Sequence, residues 1–239
     1  MHRDRSSFVL AAFAGVSFGF VAGCGSNEAT FRIKGPITDS VAADYLAAGD
    51  VSVLYVSSPG GDGAAALKIA RAMLENETHL VIDGFCASAC AEFLIPAASE
   101  VTALNHPIVS VHGNPLLIRK LFADYGIEQE PHCIAVAAPL EEIYRQRGRS
   151  SQLALAQEQR LGLTKFLAKP DPNTQCFFFD WKFAATSWLP TSEEYASLMG
   201  LEIDGELCSD SVRCLRERVV DFKATGRCRI RDELLPCAD

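Results

Sequence analysis

Ser88, His112 and the glycine pair Gly60-Gly61 are the residues whose types and order could carry acyl-transfer chemistry. Ser88 lies in Gly84-Phe85-Cys86-Ala87-Ser88-Ala89-Cys90-Ala91-Glu92-Phe93-Leu94, behind the apolar run Leu80-Val81-Ile82 and ahead of a compact stretch free of Gly and Pro until Pro96. That pattern predicts a strand, a turn at Ser88 and a helix start, with the hydroxyl near the unpaired N–H groups of the first helical turn. Those groups and the helix dipole favour an oxyanion formed beside them. The same placement also suits a plain serine N-cap. A serine hydroxyl is a weak nucleophile until a base takes its proton. His112 ends the run Ile108-Val109-Ser110-Val111 and is followed by Gly113, where a strand would deliver such a base to a sheet's carboxyl edge. A lone histidine is also a common structural residue. Gly60-Gly61 stands in Ser57-Ser58-Pro59-Gly60-Gly61-Asp62-Gly63, between the strand-like run Val51 to Val56 and the helical stretch Ala64 to Leu74. Paired glycines let the backbone take positive φ and bring N–H groups close to a ligand. Pro-Gly-Gly is equally an ordinary strand-to-helix turn.

The elements that must hold these residues are readable in order. Phe31 to Ile37 alternates as a first strand, and Asp39 to Ala48 is helix-like, with Asp39 or Ser40 as its cap. Leu80 to Ile82 begins the third strand, and Val101 to Ala103 and Ile108 to Val111 read as further strands around Asn105-His106-Pro107. Strands alternating with helices imply parallel βαβ crossovers. Ligands of such sheets sit at the strands' carboxyl ends, where all three motifs fall. Downstream, Leu116 to Tyr125, Pro139 to Arg147 and Ser151 to Ala168 have helical spacing. Cys176-Phe177-Phe178-Phe179-Asp180-Trp181 reads as a buried strand, with an aromatic substrate shelf as the alternative.

Ser58-Pro59-Gly60-Gly61, Cys86-Ala87-Ser88-Ala89-Cys90 and Val109-Ser110-Val111-His112, in this order and spacing, resemble the ClpP/crotonase superfamily. The likeness is closest to its serine-peptidase branch, the Clp proteolytic subunit and its exported, ATP-independent relatives. Thr191 to Tyr195 with Gly200-Leu201 looks like the helix and Gly-Leu that close the family's core. The clear resemblance covers residues 30 to 115. It implies an α/β fold, a ClpP/crotonase-like spiral of βαβ units with a helical arm over residues 116–185. It implies a serine endopeptidase with Ser88 as nucleophile, His112 as base, and N–H groups of Gly60 or Gly61 and of Ala89 around the oxyanion. The glycine turn would also offer an edge to an extended peptide, so a peptide or unfolded protein is the expected substrate. The arm often builds oligomer contacts in the family, which makes a homo-oligomer an expectation here. The family's acid falls near Ser187-Trp188, where this chain has none. Asp180 is the nearest upstream carboxylate, Asp171 is farther, and a Ser–His dyad oriented by backbone is the other arrangement. No Lys stands where the signal-peptide-peptidase branch would need one. Cys86 and Cys90 depart from the Clp subunit and resemble the exported relatives. They could join if the first helical turn is distorted, and a cysteine nucleophile is the rival use. A catalytically silent binding or assembly module of the cell envelope is the alternative function. Crotonase-type acyl-CoA chemistry is disfavoured by export, because acyl-CoA is cytosolic.

Export itself is read from the N-terminus. Met1-His2-Arg3-Asp4-Arg5 precedes an apolar run from Phe8 to Val21, too short to span a bilayer comfortably. Val21-Ala22-Gly23-Cys24 is similar to the bacterial lipobox, so residues 1–23 are expected to be a lipoprotein signal peptide and Cys24 the lipidated N-terminus. A plain signal peptide cut near Gly23 is the other reading. These features predict a periplasmic protein anchored to the membrane through Cys24, with residues 24–30 as tether. Domain boundaries follow: a ClpP/crotonase-like unit over 31–204 and a Cys-rich tail over 205–239.

Without the leader the chain holds 20 basic and 29 acidic residues, a net of −9 from the full chain's −8. That balance argues against nucleic acid or an anionic membrane surface as a partner. Eight cysteines remain beside Cys24: Cys86, Cys90, Cys133, Cys176, Cys208, Cys214, Cys228 and Cys237. An even number in an exported chain suggests disulfides. The tail, poor in large apolar residues, would need them to hold a shape, with Cys208–Cys214 and Cys228–Cys237 as the shortest pairings. The close Cys pairs lack the paired His of common zinc sites, so neither a metal nor a cofactor is expected.

Overall fold

Strand and helix alternate from Thr30 to Ser110, and each crossover lays the next strand parallel to the last. The computed structural model describes residues 29–128, 134–165, 168–170, 177–179, 182–183 and 187–208. β1 (Thr30–Lys34), α1 (Asp39–Ala47), β2 (Val53–Ser58), α2 (Gly63–Glu75) and β3 (His79–Ala87) come first. A π-turn over Cys90–Leu94 runs into the short α3 (Ile95–Ala97), and β4 (Val101–Ser110) follows. After β4 stand α4 (Pro115–Asp124), α5 (Ala137–Gln146) and α6 (Gln152–Arg160). Two small antiparallel pairs come next: β5 (Leu163–Lys165) with β8 (Lys182–Phe183), and β6 (Ala168–Pro170) with β7 (Phe177–Phe179). α7 (Ser192–Met199) and β9 (Ile203–Asp204) close the described chain. The main sheet is parallel throughout, in the order β1-β2-β3-β4-β9, so the protein is α/β.

The core explains the alternation. Leu54 and Val56 of β2 and Leu80 and Ile82 of β3 are at most 1% exposed, as a central strand of a covered parallel sheet requires. α2 buries Ala65, Ala66, Ile69, Ala70 and Met73 on one face, and α1 buries Ala42 and Tyr45. Each buried Leu, Ile or Met contributes about 1.5–3 kcal/mol relative to exposure. Asp62 caps α2, its Oδ1 accepting from Ala65 N at 2.7 Å. α3 ends after one turn, and arginines beyond α5 satisfy the freed carbonyls. Arg149 donates to Ile95 O at 2.7 Å and Ala98 O at 2.6 Å, and Arg147 Nε donates to Ala97 O at 2.8 Å. Those bonds pin the far end of the segment that begins at Ser88.

Several elements differ from the sequence reading. Thr38, rather than Asp39 or Ser40, caps α1, its Oγ1 accepting from Val41 N at 3.3 Å. The two strands expected around Asn105-His106-Pro107 are one, β4: Asn105 and His106 take φ of 57° and 51°, and the β3–β4 register shifts between Asp83 and Phe85. A bulge bends a strand without ending it. The helix expected from Ser151 to Ala168 stops at Arg160, because Gly162 turns with φ of 60° into β5. The Phe177–Phe179 strand is paired with β6. α7 is capped by a Thr191–Glu194 capping box and ended by Gly200 at φ of 72°. The leader and tether with Cys24, the carboxylates Asp171 and Asp180, and Cys133, Cys176, Cys214, Cys228 and Cys237 lie outside the described residues. Cys208, the last described residue, is disulfide-bonded. Among the described residues no helix is long and apolar enough to cross a membrane.

Candidate active site

Three strand ends meet at the carboxyl edge of the sheet. β2 ends in Ser58 and leads to Gly60-Gly61, β3 ends in Ala87 beside Ser88, and β4 ends in Ser110 two residues before His112. Ser58 pairs with Cys86 and Ala87 pairs with Ser110 in the strand register. Neighbouring strands lie about 4.8 Å apart, so parallel pairing alone gathers these segments.

Ser88 has φ of 52°, the left-handed region that a non-glycine residue enters at a cost of about 1–3 kcal/mol. Its surroundings hold it there. Ser88 N donates to Ser110 O at 2.9 Å, and Ser88 O accepts from Glu92 N at 2.8 Å. Cys86, on the strand, is bonded to Cys90, at the start of the π-turn, with Cα atoms 5.3 Å apart. The crosslink therefore spans strand to helix rather than one helical turn, and Ser88 stands at the middle of the loop it closes. Ser88 itself is only half buried.

The glycine turn packs directly on this loop. A Cβ on Gly60 (φ 89°) would sit 2.5 Å from Ala87 O, 2.7 Å from Ser88 Cβ and 2.8 Å from Ala89 N. Only glycine permits that approach. A Cβ on Gly61 (φ 146°) would lie 2.2 Å from Ile37 O. Gly60 N donates to Ser58 Oγ at 3.1 Å, and Ser58 is fully buried. That bond commits the Gly60 N–H locally. Ala89 N–H stands at the opening of the helical segment, where backbone donors lack intrahelical acceptors.

His112 is exposed and follows Val111, whose backbone pairs with Trp188 in both directions, at 2.9 and 3.1 Å. Desolvation by its surroundings holds the imidazole below its ordinary value of 6.5, so at neutral pH it is uncharged and can accept a proton. Among the described residues no hydrogen bond joins Ser88 Oγ to the His112 ring. Catalytic hydrogen bonds of unliganded sites are often long and tighten only around substrate. Trp188 occupies the place beside Val111 near which an acid was sought, and the Arg160 guanidinium lies 5.5 Å from its ring centroid.

Glu92 was missed by the sequence reading. It is 4% exposed, and all three of its hydrogen-bonding partners are donors. His112 N reaches Oε1 at 2.9 Å, Gln157 Nε2 reaches both oxygens at 3.1 Å, and Asn114 Nδ2 donates to Oε2. Burial pushes this carboxyl up to about 7, against the pull of those donors. Asn114 Oδ1 in turn caps α4 through Leu116 N at 2.9 Å, and Asn114 N donates to Gln157 Oε1 at 3.2 Å. A lone acid inside Ala89 to Leu94, otherwise apolar, was the available signal. Nothing in the sequence marked Gln157 or Asn114.

The chain matches no protein-family model and no curated protein. The other histidines stand elsewhere. His79 opens β3 at the opposite edge, its Nε2 2.9 Å from Thr102 Oγ1, and exposed His106 faces Glu206. His132 lies outside the described residues. Among the described residues no group of three or more His, Cys, Asp or Glu could hold a metal ion.

Proposed function

We propose that the protein is a ClpP-like serine peptidase of the cell envelope that works without ATP. The observation that carries the reading is the left-handed Ser88, bonded to Ser110 O on the strand that leads to His112 and packed against a glycine that tolerates no Cβ. A strained serine on a sharp strand-to-helix turn presents its Oγ at the top of the sheet. In the reaction, His112 takes the Ser88 proton as Oγ bonds to the peptide carbonyl carbon. The Gly61 and Ala89 N–H groups receive the oxyanion, since Gly60 N–H is spent on Ser58. Collapse breaks the C–N bond, and the proton passes from His112 to the leaving amine. Water then repeats the sequence on the acyl-serine, with His112 again as base. The imidazole is oriented by its backbone, held at Glu92 and at the Val111–Trp188 pairing, as a Ser–His dyad; Asp180 is the carboxylate that would make it a triad. Cys24 would carry the lipid that holds the enzyme at the membrane, and an unmodified Cys24 in the mass spectrum of the mature chain would remove that anchor.

A second reading, a catalytically silent module, is favoured by Trp188 standing where an acid was expected. A fluorophosphonate probe separates the two. The peptidase labels at Ser88, and Ser88→Ala and His112→Ala abolish labelling while folding normally. A folded wild-type protein that never labels excludes the peptidase.

A further inference from the structure

Two catalytic segments need a common anchor, and one buried side chain touches both. Glu92 lies four residues after Ser88, and its own N–H donates to Ser88 O at 2.8 Å. Its carboxylate holds the backbone N–H of His112 and the side chain of Asn114, which brackets the base-bearing loop. Resting on the peptidase reading above, we propose that Glu92 is a positioning residue. Its ionised carboxylate ties the His112 loop to the turn of Ser88 and so sets the base at the nucleophile.

The donor count gives the reason for ionisation. A carboxylate offers about four acceptor sites and no donor. His112 N, Asn114 Nδ2 and Gln157 Nε2 supply donors to both oxygens. A proton on Glu92 adds a further donor to a pocket already made of donors, and one of those bonds must open. The neighbouring amide oxygens are already engaged, Asn114 Oδ1 accepting from Leu116 N and Gln157 Oε1 from Asn114 N. The titratable side chains facing Glu92 are Tyr144 from α5 and Tyr195 from α7, while His112, on the loop after β4, meets it through its backbone N–H. Arg149 lies behind Tyr144. Both tyrosines are raised by burial and stay neutral, so only His112 and Glu92 change charge near neutrality. Burial holds the carboxyl at about 7 while the imidazole lies below 6.5. Activity should therefore rise with pH through two ionisations, the upper one belonging to Glu92.

The test is the rate of fluorophosphonate labelling at Ser88 between pH 5 and about 9, in wild type and Glu92→Gln, with folding checked by circular dichroism at each pH. A misplacement near 1 Å costs about 10² in rate. Glu92→Gln should label about 10²-fold more slowly and lose the upper ionisation while keeping the lower one. A residue that merely stabilises the fold would lower the melting temperature and leave the profile of the folded protein unchanged. Wild-type rates with the upper ionisation intact in Glu92→Gln overturn the proposal. Gln157→Met keeps the carboxyl and removes its donor on α6, so it should move the upper ionisation to higher pH even if Glu92→Gln fails to fold. An unmoved limb in Gln157→Met overturns it as well. Failure of the peptidase reading is separable. If wild type never labels, the His112 backbone amide resonance still reports the tie, titrating with Glu92 in wild type and losing that step in Glu92→Gln. An amide that ignores Glu92 sinks the coupling whatever the function.

Discussion

The carboxyl that ties the site together should also cost the protein stability as pH rises. In the unfolded chain Glu92 ionises at its ordinary 4.5, and in the fold burial raises it to about 7. Between those values the unfolded chain has lost the Glu92 proton and the folded protein keeps it. Unfolding then releases a proton, and stability falls as pH rises. The contribution is complete below 4.5, is lost through the window up to about 7, and changes no further above it. At about 1.4 kcal/mol for each pH unit of displacement, the loss is about 3 kcal/mol. That is a sizeable share of the roughly 5–15 kcal/mol holding a typical domain together. In a domain of 150–250 residues it corresponds to about 6–12 °C in melting temperature. Urea titrations of wild type and Glu92→Gln from pH 4 to about 8.5 isolate it, because subtraction removes every other titrating group. Gln adds a constant offset and no slope. The difference, wild type minus variant, should drop by about 3 kcal/mol across the window. A flat difference would mean that the carboxyl ionises as freely in the fold as outside it. A rising one would mean that His112 N, Asn114 and Gln157 outweigh the cost of burial. Either result refutes the reasoning.

Two further outcomes follow from the packing around Ser88. Gly60→Ala puts a methyl 2.5 Å from Ala87 O and forces φ of 89° on an alanine, so the two loops must part. Labelling at Ser88 should fall by about 10²-fold or more, and the melting temperature should fall with it because backbone on both loops must move; a variant that labels at the wild-type rate would show that the contact does not set the nucleophile. Opening the Cys86–Cys90 bond, by reductant or by the pair Cys86→Ala and Cys90→Ala, should slow labelling more than it lowers stability, because the loop it closes contains Ser88. Free thiols at both positions in protein taken from the cell, or a double variant with full activity, would end that idea.

Local rules made much of this protein legible. Leu80-Val81-Ile82 has the continuous apolar character of a strand covered on both faces, and Pro59-Gly60-Gly61 carries the backbone freedom of a tight turn. The order of the glycine turn, Ser88 and His112 along successive strands placed all three at one sheet edge, because parallel crossovers leave strand ends side by side. These are properties of neighbours in the chain, and periodicity and turn chemistry express them. The tertiary structure alone decided the rest. The partners of Glu92 lie 20, 22 and 65 residues away, so no window of sequence contains the pocket that buries it. Trp188 meets Val111 from 77 positions along, read from their numbering, and it is backbone pairing that seats it there. The Gly60 N–H looked available for an oxyanion until Ser58 turned inward and accepted it. Cys86 and Cys90, four apart, read as neighbours on a helix; the left-handed turn at Ser88 instead puts one on a strand and the other on the helix it faces. Burial and hydrogen-bond competition depend on what the whole chain assembles around a group, which spacing along the chain does not carry.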